Sequence, residues 1–367
     1  MASSLIWFFG NSLQSKPHIF YVTSNMIGTT RKIIMYLIYI ILISVMRSRA
    51  DVHIDDWDYD HHHTHQTNWK GVCRDGKRQS PINIDTRKTV KKNWTEPFVL
   101  AGYDQKISVL VRNNRHTIVV TPTQELHKKI FVRGGGLGTS RFQFAQAHFH
   151  WGSTNDQGSE HTIDEKSAPM EMHLVHWNLD VDPILSKAVK TGANNSLEVL
   201  GVHFKIGKKN QKFEDIFQSI KHVKKENKTT TIENGIKLKD LLPDNKLQYY
   251  RYYGSLTTPS CNEIVVWTIF KQKIEISQGQ LDEIRKVYYH RTGETEVRDI
   301  SNNYREPQPL HERHVEEINT QIKFESHPNS TQVPHGNTGI SPRNHLKLNY
   351  RILFVLLIMI LNKSFYL

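Results

Sequence analysis

The sequence predicts a mainly β (α+β) protein: a single domain on a large, central, mostly antiparallel twisted β-sheet with short surface helices. Segments of strand length, rich in aromatic and β-branched residues, recur from Ile107 to Phe270. Helical patterns are few and short, around Asp182–Lys190, Phe213–Lys224 and Ser277–Arg285. No repeat and no Gly/Ser-rich linker interrupts Trp57–Arg313, and large β folds often pass 200 residues as one domain.

Residues 1–50 carry five basic residues and no acids. Arg31-Lys32, the apolar run Ile33–Met46 and Ser48-Arg49-Ala50 follow the order of a signal peptide, predicting a mature start at Asp51. The run is shorter than the ~20 residues of a spanning helix. Met26 suits this signal better than Met1, so residues 1–25 are expected to be either an upstream extension or a stretch that is not translated. Residues 51–70 are irregular, and His61-His62-His63-Thr64-His65 fits a solvated tract. Ile107–Val120 reads as a hairpin turned at Asn113-Asn114. Gly134-Gly135-Gly136 is a turn; no Lys-Ser/Thr and no helix pattern follows, which excludes a phosphate cradle. Leu197–Ile206 and Ile264–Phe270 are strands of mostly buried type.

After Arg313 the chain turns polar, with Pro328, Pro334 and Gly336, so the folded domain is expected over 51–313 and a stalk over 314–339. Residues 340–367 hold a polar spacer, Ile340–Arg351, and an apolar run, Ile352–Leu361. With the small triplet Asn337-Thr338-Gly339 before them, they have the order of a lipid-anchor (GPI) signal, Asn337 being the attachment residue. The alternative is a short single-pass helix, for which ten apolar residues are few.

The net charge of +12 invites a nucleic-acid partner. Five of those charges sit in residues 1–50 and four in 340–367, neither of which has an acid, so the remainder carries only +3. That balance removes the argument for nucleic acid and says nothing about protein partners.

The informative residues are histidines. His148 and His150 alternate on one strand pattern and share a face, with Gln146 behind them. His173 shares parity with Glu171 and Val175 on a second. If the two strands pair, three imidazoles converge, and three protein ligands with one open position describe a catalytic zinc rather than a structural one. Gln146 and Glu171 each lie two residues before a ligand, where an acceptor can fix the distal imidazole N–H.

At these residues a family resemblance is plain. Ala147-His148-Phe149-His150-Trp151-Gly152, Ser159-Glu160-His161-Thr162, Glu171-Met172-His173-Leu174-Val175-His176-Trp177-Asn178 and Gly254-Ser255-Leu256-Thr257-Thr258-Pro259 resemble the signature blocks of the α-class carbonic anhydrases, in that family's order. Arg78-Gln79-Ser80-Pro81-Ile82-Asn83-Ile84 and Gln308-Pro309-Leu310 support it, and the likeness runs from about Trp57 to about Arg313. The chain is similar to the extracellular, membrane-anchored members.

The resemblance implies about ten strands with a Zn2+ ion on a central one, and reversible hydration of carbon dioxide to bicarbonate and a proton by zinc-bound hydroxide. Zinc on neutral imidazoles acidifies its water, an effect for which carbonic anhydrases are the standard example. It implies that Thr257, tied to a buried Glu160, orients the hydroxide, and that His116 exports the proton. Val175, Val199, Leu256 and Trp267 would wall the carbon dioxide pocket, with Thr258 at its mouth. Tyr59 and Asn114 would line the water path, where Val119 and Arg115 depart from the family's usual residues. Family members outside the cell carry a bridge at the places of Cys73 and Cys261, the only two cysteines. Sequons at Asn93, Asn194, Asn227 and Asn329 agree with a secretory route to the outer face of the plasma membrane. A catalytically weak ectodomain acting in adhesion is the alternative; such relatives typically lack a metal histidine, and here none is missing. No His-Glu-x-x-His occurs, which excludes a zinc peptidase of that type.

Overall fold

The computed structural model describes residues 57, 59, 69–93, 96–123, 129–290 and 296–320. The segments read from the sequence as signal peptide and anchor, the His61–His65 tract, Asn329 and Asn337 lie outside them. The protein is mainly β, with a 13-stranded mixed, mostly antiparallel sheet and a few short helices.

Ten strands form its continuous path: β1 (Val90–Lys92), β2 (Lys106–Asn113), β3 (Ile118–Pro122), β4 (Phe142–Trp151), β5 (Met170–Asn178), β6 (Leu197–Ile206), β7 (Thr229–Lys237), β8 (Gln248–Gly254), β9 (Val265–Phe270) and β10 (Glu316–Asn319). Their spatial order is β7-β2-β3-β4-β5-β6-β9-β8-β10-β1. Only β6–β9 and β10–β1 along this path are parallel. Phe98–Ala101, Phe131–Gly134 and Ile274–Ile276 attach beside it. Among the described residues the α-helices are α1 (Val72–Asp75), α2 (Leu185–Lys190), α3 (Glu214–Ile220) and α4 (Gln278–Ile284), the last closed by a Ser277–Gln280 capping box.

The sheet does not end where the sequence's polar turn puts the domain boundary. β10 pairs with β8 and β1, so the folded part continues past residue 313 into the expected stalk. Ile318 is fully buried, one apolar side chain being enough to hold a short strand whose other residues, Glu316, Glu317 and Asn319, are polar. The Thr-rich β7 and Tyr-rich β8 also join the sheet, although neither is among the strands expected from the sequence.

Every residue of β5 is buried, because both faces of the sheet are covered at its centre. Met170, Met172 and Leu174 enter the larger apolar core, whereas Val175 and Trp177 enter a smaller one on the opposite face. Period-2 alternation sends Glu171 and His173 to that second face. The fold thus places polar chemistry at mid-sheet, away from water.

The back face carries a polar group of its own. Glu198 on β6 is fully buried; its Oε1 accepts from Thr268 Oγ1 at 2.5 Å and lies 3.8 Å from Arg251 Nη2. Burial pushes its carboxyl from the ordinary 4.5 up to about 7, against the pull of Arg251 and Thr268. As pH rises from about 4.5 to about 7, the unfolded chain ionises Glu198 while the folded chain keeps its proton, so folding loses stability across that window. Glu198→Gln should therefore gain stability over the parent between pH 5 and pH 8, by on the order of 2–3 kcal/mol. Urea unfolding at both pH values measures this; an equal offset at each would show that Glu198 titrates normally in the fold.

Candidate metal centre

β4 and β5 pair antiparallel with His148 opposite His173 and His150 opposite Glu171. A register shift between Phe144 and Gln146 sets the parity of the rest of β4, so that Ala147, Phe149 and Trp151 enter the large core while His148 and His150 face the other way. His173 Nδ1 lies 3.1 Å from His150 Nε2 and 3.3 Å from His148 Nε2. These spacings approach the ~3.3 Å edge of a tetrahedron with metal–nitrogen bonds of about 2.0–2.1 Å.

The outward nitrogens are all engaged. His148 Nδ1 donates to Gln146 Oε1 at 3.0 Å, His150 Nδ1 to the Asn303 carbonyl at 2.7 Å, and His173 Nε2 to Glu171 Oε1 at 2.8 Å. With the proton held outward in each ring, three lone pairs point at one another, an arrangement that needs a cation between them. Burial, with the neighbouring His150 and His173, holds the His148 imidazole well below its ordinary range. Burial also lowers His173, against the opposing pull of Glu171. Both rings are neutral near pH 7, as metal ligands must be.

Glu160 supplies a second sign of a cation site. It is fully buried, and its Oε1 accepts the Arg305 backbone N–H at 2.9 Å. Its Oε2 has no hydrogen-bond partner among the described residues and lies 3.5 Å from His150 Nε2 and 3.8 Å from His173 Nδ1. A second cluster, His161, Glu171 and His173, also brings metal-ligating atoms together. There the separations are 2.7 and 2.8 Å, hydrogen bonds too short to be edges of one coordination shell. The histidine triad is the cluster that suits zinc.

The chain matches the eukaryotic-type carbonic anhydrase family over residues 61–319. It belongs to that family. It is 37% identical over 250 residues to carbonic anhydrase 4 of Mus musculus, covering 67% of this chain and 77% of the relative. Putative carbonic anhydrase 3 of Caenorhabditis elegans is 35% identical over 244 residues, 66% of this chain and 91% of that one. Carbonic anhydrase 15 of Mus musculus is 33% identical over 244 residues, 65% and 75% of the two chains.

Around the triad, this carbonic anhydrase brings Val175, Val199 and Trp267 into one row: Val199 sits opposite Val175 on β5 and Trp267 on β9. Leu256 packs against the same small core, and the Trp267 ring centre is 4.7 Å from that of His173. Thr257 is buried and Thr258 half-buried on the loop between β8 and β9. That loop is pinned by the Cys73–Cys261 disulfide, by the Ser255 N–H donating to Ser80 Oγ at 2.9 Å, and by the Thr258 carbonyl accepting from the Cys261 N–H at 2.8 Å. One implied contact is not there. No hydrogen bond links Thr257 to Glu160 among the described residues, whose free oxygen turns instead toward the imidazoles.

His116 is half-buried on the turn between β2 and β3, its ring stacked on Trp57 with centres 3.9 Å apart and planes at 10°. Asn114 Oδ1 accepts the His116 and Thr117 N–H groups at 3.1 and 2.8 Å, so this side chain shapes the turn. Arg115 leans over the Tyr289 ring, 5.8 Å from its centre, and Val119 is the strand neighbour of His148. Tyr59 is half-buried beside Trp57 and Trp69, its hydroxyl pKa pushed well up by burial and then by Glu160. Asn93, Asn194 and Asn227 are exposed, and Asn194 Oδ1 accepts from Arg78 at 2.9 Å.

The sequence left several contributors unnamed. Arg305 donates to the Gln79 side chain and to the Ser80 and Cys73 carbonyls at 2.7–2.9 Å, tying the disulfide segment to Glu160 through its own backbone. The Tyr252 hydroxyl lies 2.7 Å from His161 Nε2 and 2.8 Å from Ser80 Oγ. Glu171, His161, Tyr252 and Ser80 thus form one buried chain of hydrogen bonds from the triad to the Thr257 loop.

Proposed function

We propose that this chain is a zinc enzyme catalysing the reversible hydration of carbon dioxide to bicarbonate and a proton, at the outer face of the cell. The observation that carries it is the triad itself: three inward lone pairs, each fixed by an acceptor on the far side of its ring. His148, His150 and His173 would hold the ion; Gln146, Glu171 and the Asn303 carbonyl orient them. Bound zinc supplies Lewis acidity, which makes a strong oxygen nucleophile available near neutral pH.

The remaining tasks fall to side chains. The apolar row of Val175, Val199, Leu256 and Trp267 admits carbon dioxide and keeps bulk water away from it. Thr257, were it to commit its proton to Glu160 with zinc bound, would accept a hydrogen bond from the nucleophile and so orient it toward the carbon. Thr258 meets the substrate at the entrance. His116 carries the product proton toward solvent along a path that Tyr59 and Asn114 line.

Stopped-flow carbon dioxide hydration tests this, with zinc content measured on the same sample. One zinc per chain and hydration far above buffer are expected; one zinc without hydration would refute the assignment and favour a binding role.

The cellular address rests on the disulfide, the three exposed sequons and the likeness to carbonic anhydrases 4 and 15. Among the described residues no helix is long and apolar enough to cross a membrane. In our reading the C-terminal signal is exchanged for a lipid anchor at Asn337, after a signal peptide is removed before Asp51. Phosphatidylinositol-specific phospholipase C should then release the enzyme from intact cells; retention on the membrane after treatment would rule the anchor out.

A further inference from the structure

We infer that His203 is a positioning residue for the metal centre, acting through Glu171; the inference rests on the zinc reading above. On β6 the register sets His203 opposite Glu171 and Gly201 opposite His173. Gly201 leaves the space that the carboxylate fills: a Cβ there would stand 3.3 Å from Glu171 Oε1 and 2.5 Å from Ile269 Cδ1.

Glu171 is wholly buried and takes four N–H donors. Oε1 accepts from His173 Nε2 at 2.8 Å and His161 Nδ1 at 2.7 Å; Oε2 accepts from the His161 backbone at 2.8 Å and His203 Nε2 at 3.2 Å. A carboxylate has about four lone-pair sites, so every one is used. Without His203, Oε2 keeps a single donor, and that donor belongs to a loop rather than to the sheet.

The other nitrogen of His203 marks the function. Nδ1 is buried and has no partner among the described residues, a net cost to folding that a leucine would not carry. What is retained at that cost is the Nε2–H bond to Glu171. It fixes the plane of the carboxylate, the carboxylate fixes the His173 ring, and the ring keeps Nδ1 turned inward.

His203→Leu and His203→Gln in the full chain, loaded with zinc, test this through the rate of zinc release to excess chelator. The metal-free thermal midpoint is measured beside it. His203→Leu should release zinc roughly threefold to tenfold faster, at or below the ~10-fold lower bound for losing a direct outer-sphere partner. Its metal-free midpoint should stay level or rise, because the unpaired nitrogen is gone. His203→Gln, which keeps an amide donor, should return the rate to within about twofold of the parent. Parent-like release from His203→Leu, or release from His203→Gln as fast as from His203→Leu, would overturn the proposal while leaving the zinc site standing. A parent that binds no zinc would overturn both.

Discussion

His173→Ala should leave a folded protein that purifies with little zinc and almost no carbon dioxide hydration. The two remaining imidazoles, His148 and His150, sit two residues apart on one strand and cannot close a tetrahedral site without the ring that faces them from β5. Removing an outer-sphere partner alone typically costs 10–100-fold in metal affinity or activity; loss of a ligand should exceed the upper figure, so a fall of more than about 100-fold is expected. The fold should survive, because neutral His173 contributes a buried polar contact rather than a core contact, and Val175 and Trp267 beside it remain. Metal analysis, hydration rate and circular dichroism on one preparation decide it. Stoichiometric zinc with full activity would refute the ligand assignment; a collapsed dichroism spectrum would show that the triad is structural.

The histidine triad was legible in the sequence because a strand gives a two-residue rule. Once Gln146–Trp151 and Glu171–Asn178 are read as strands, parity alone puts His148, His150 and His173 on shared faces, and pairing does the rest. Gln146 and Glu171 follow from the same rule, and the structure sets both at hydrogen-bond distance from their rings. The third acceptor, the Asn303 carbonyl, could not be read this way, since every residue has a carbonyl and 153 positions separate it from His150. His203 obeys the parity rule too, but it lies in a run, Leu197–Ile206, whose apolar neighbours mark it only as a buried strand. The disulfide segment and the Thr257 loop needed Arg305 and Ser80 to bring them together, contacts that depend on loop paths rather than on any period.

Replacing His116 by Ala should lower kcat in weak buffer by roughly tenfold to a hundredfold, at or below the ~10² that positioned proton transfer commonly contributes. It should leave kcat/KM for carbon dioxide nearly intact, because attack on the substrate is complete before the product proton leaves. Added imidazole should then restore turnover by carrying that proton from the site to bulk solution. The stack on Trp57 is the physical reason to examine kcat and kcat/KM separately. The imidazole lies flat against the Trp57 indole, ring centres 3.9 Å apart, so one of its faces is covered and its protons are exchanged in the ring plane, at Nδ1 and Nε2. Its turn is stiffened by Asn114, and the guanidinium of the neighbouring Arg115 lies over the Tyr289 ring. Val119, the strand neighbour of His148, has no polar group with which to hold water, a gap in any path from the triad to His116. If that gap is what limits export, His116→Ala changes little and imidazole accelerates the parent as well as the variant. Equal losses in kcat and kcat/KM would show instead that His116 holds Trp57 in place and takes no part in moving protons.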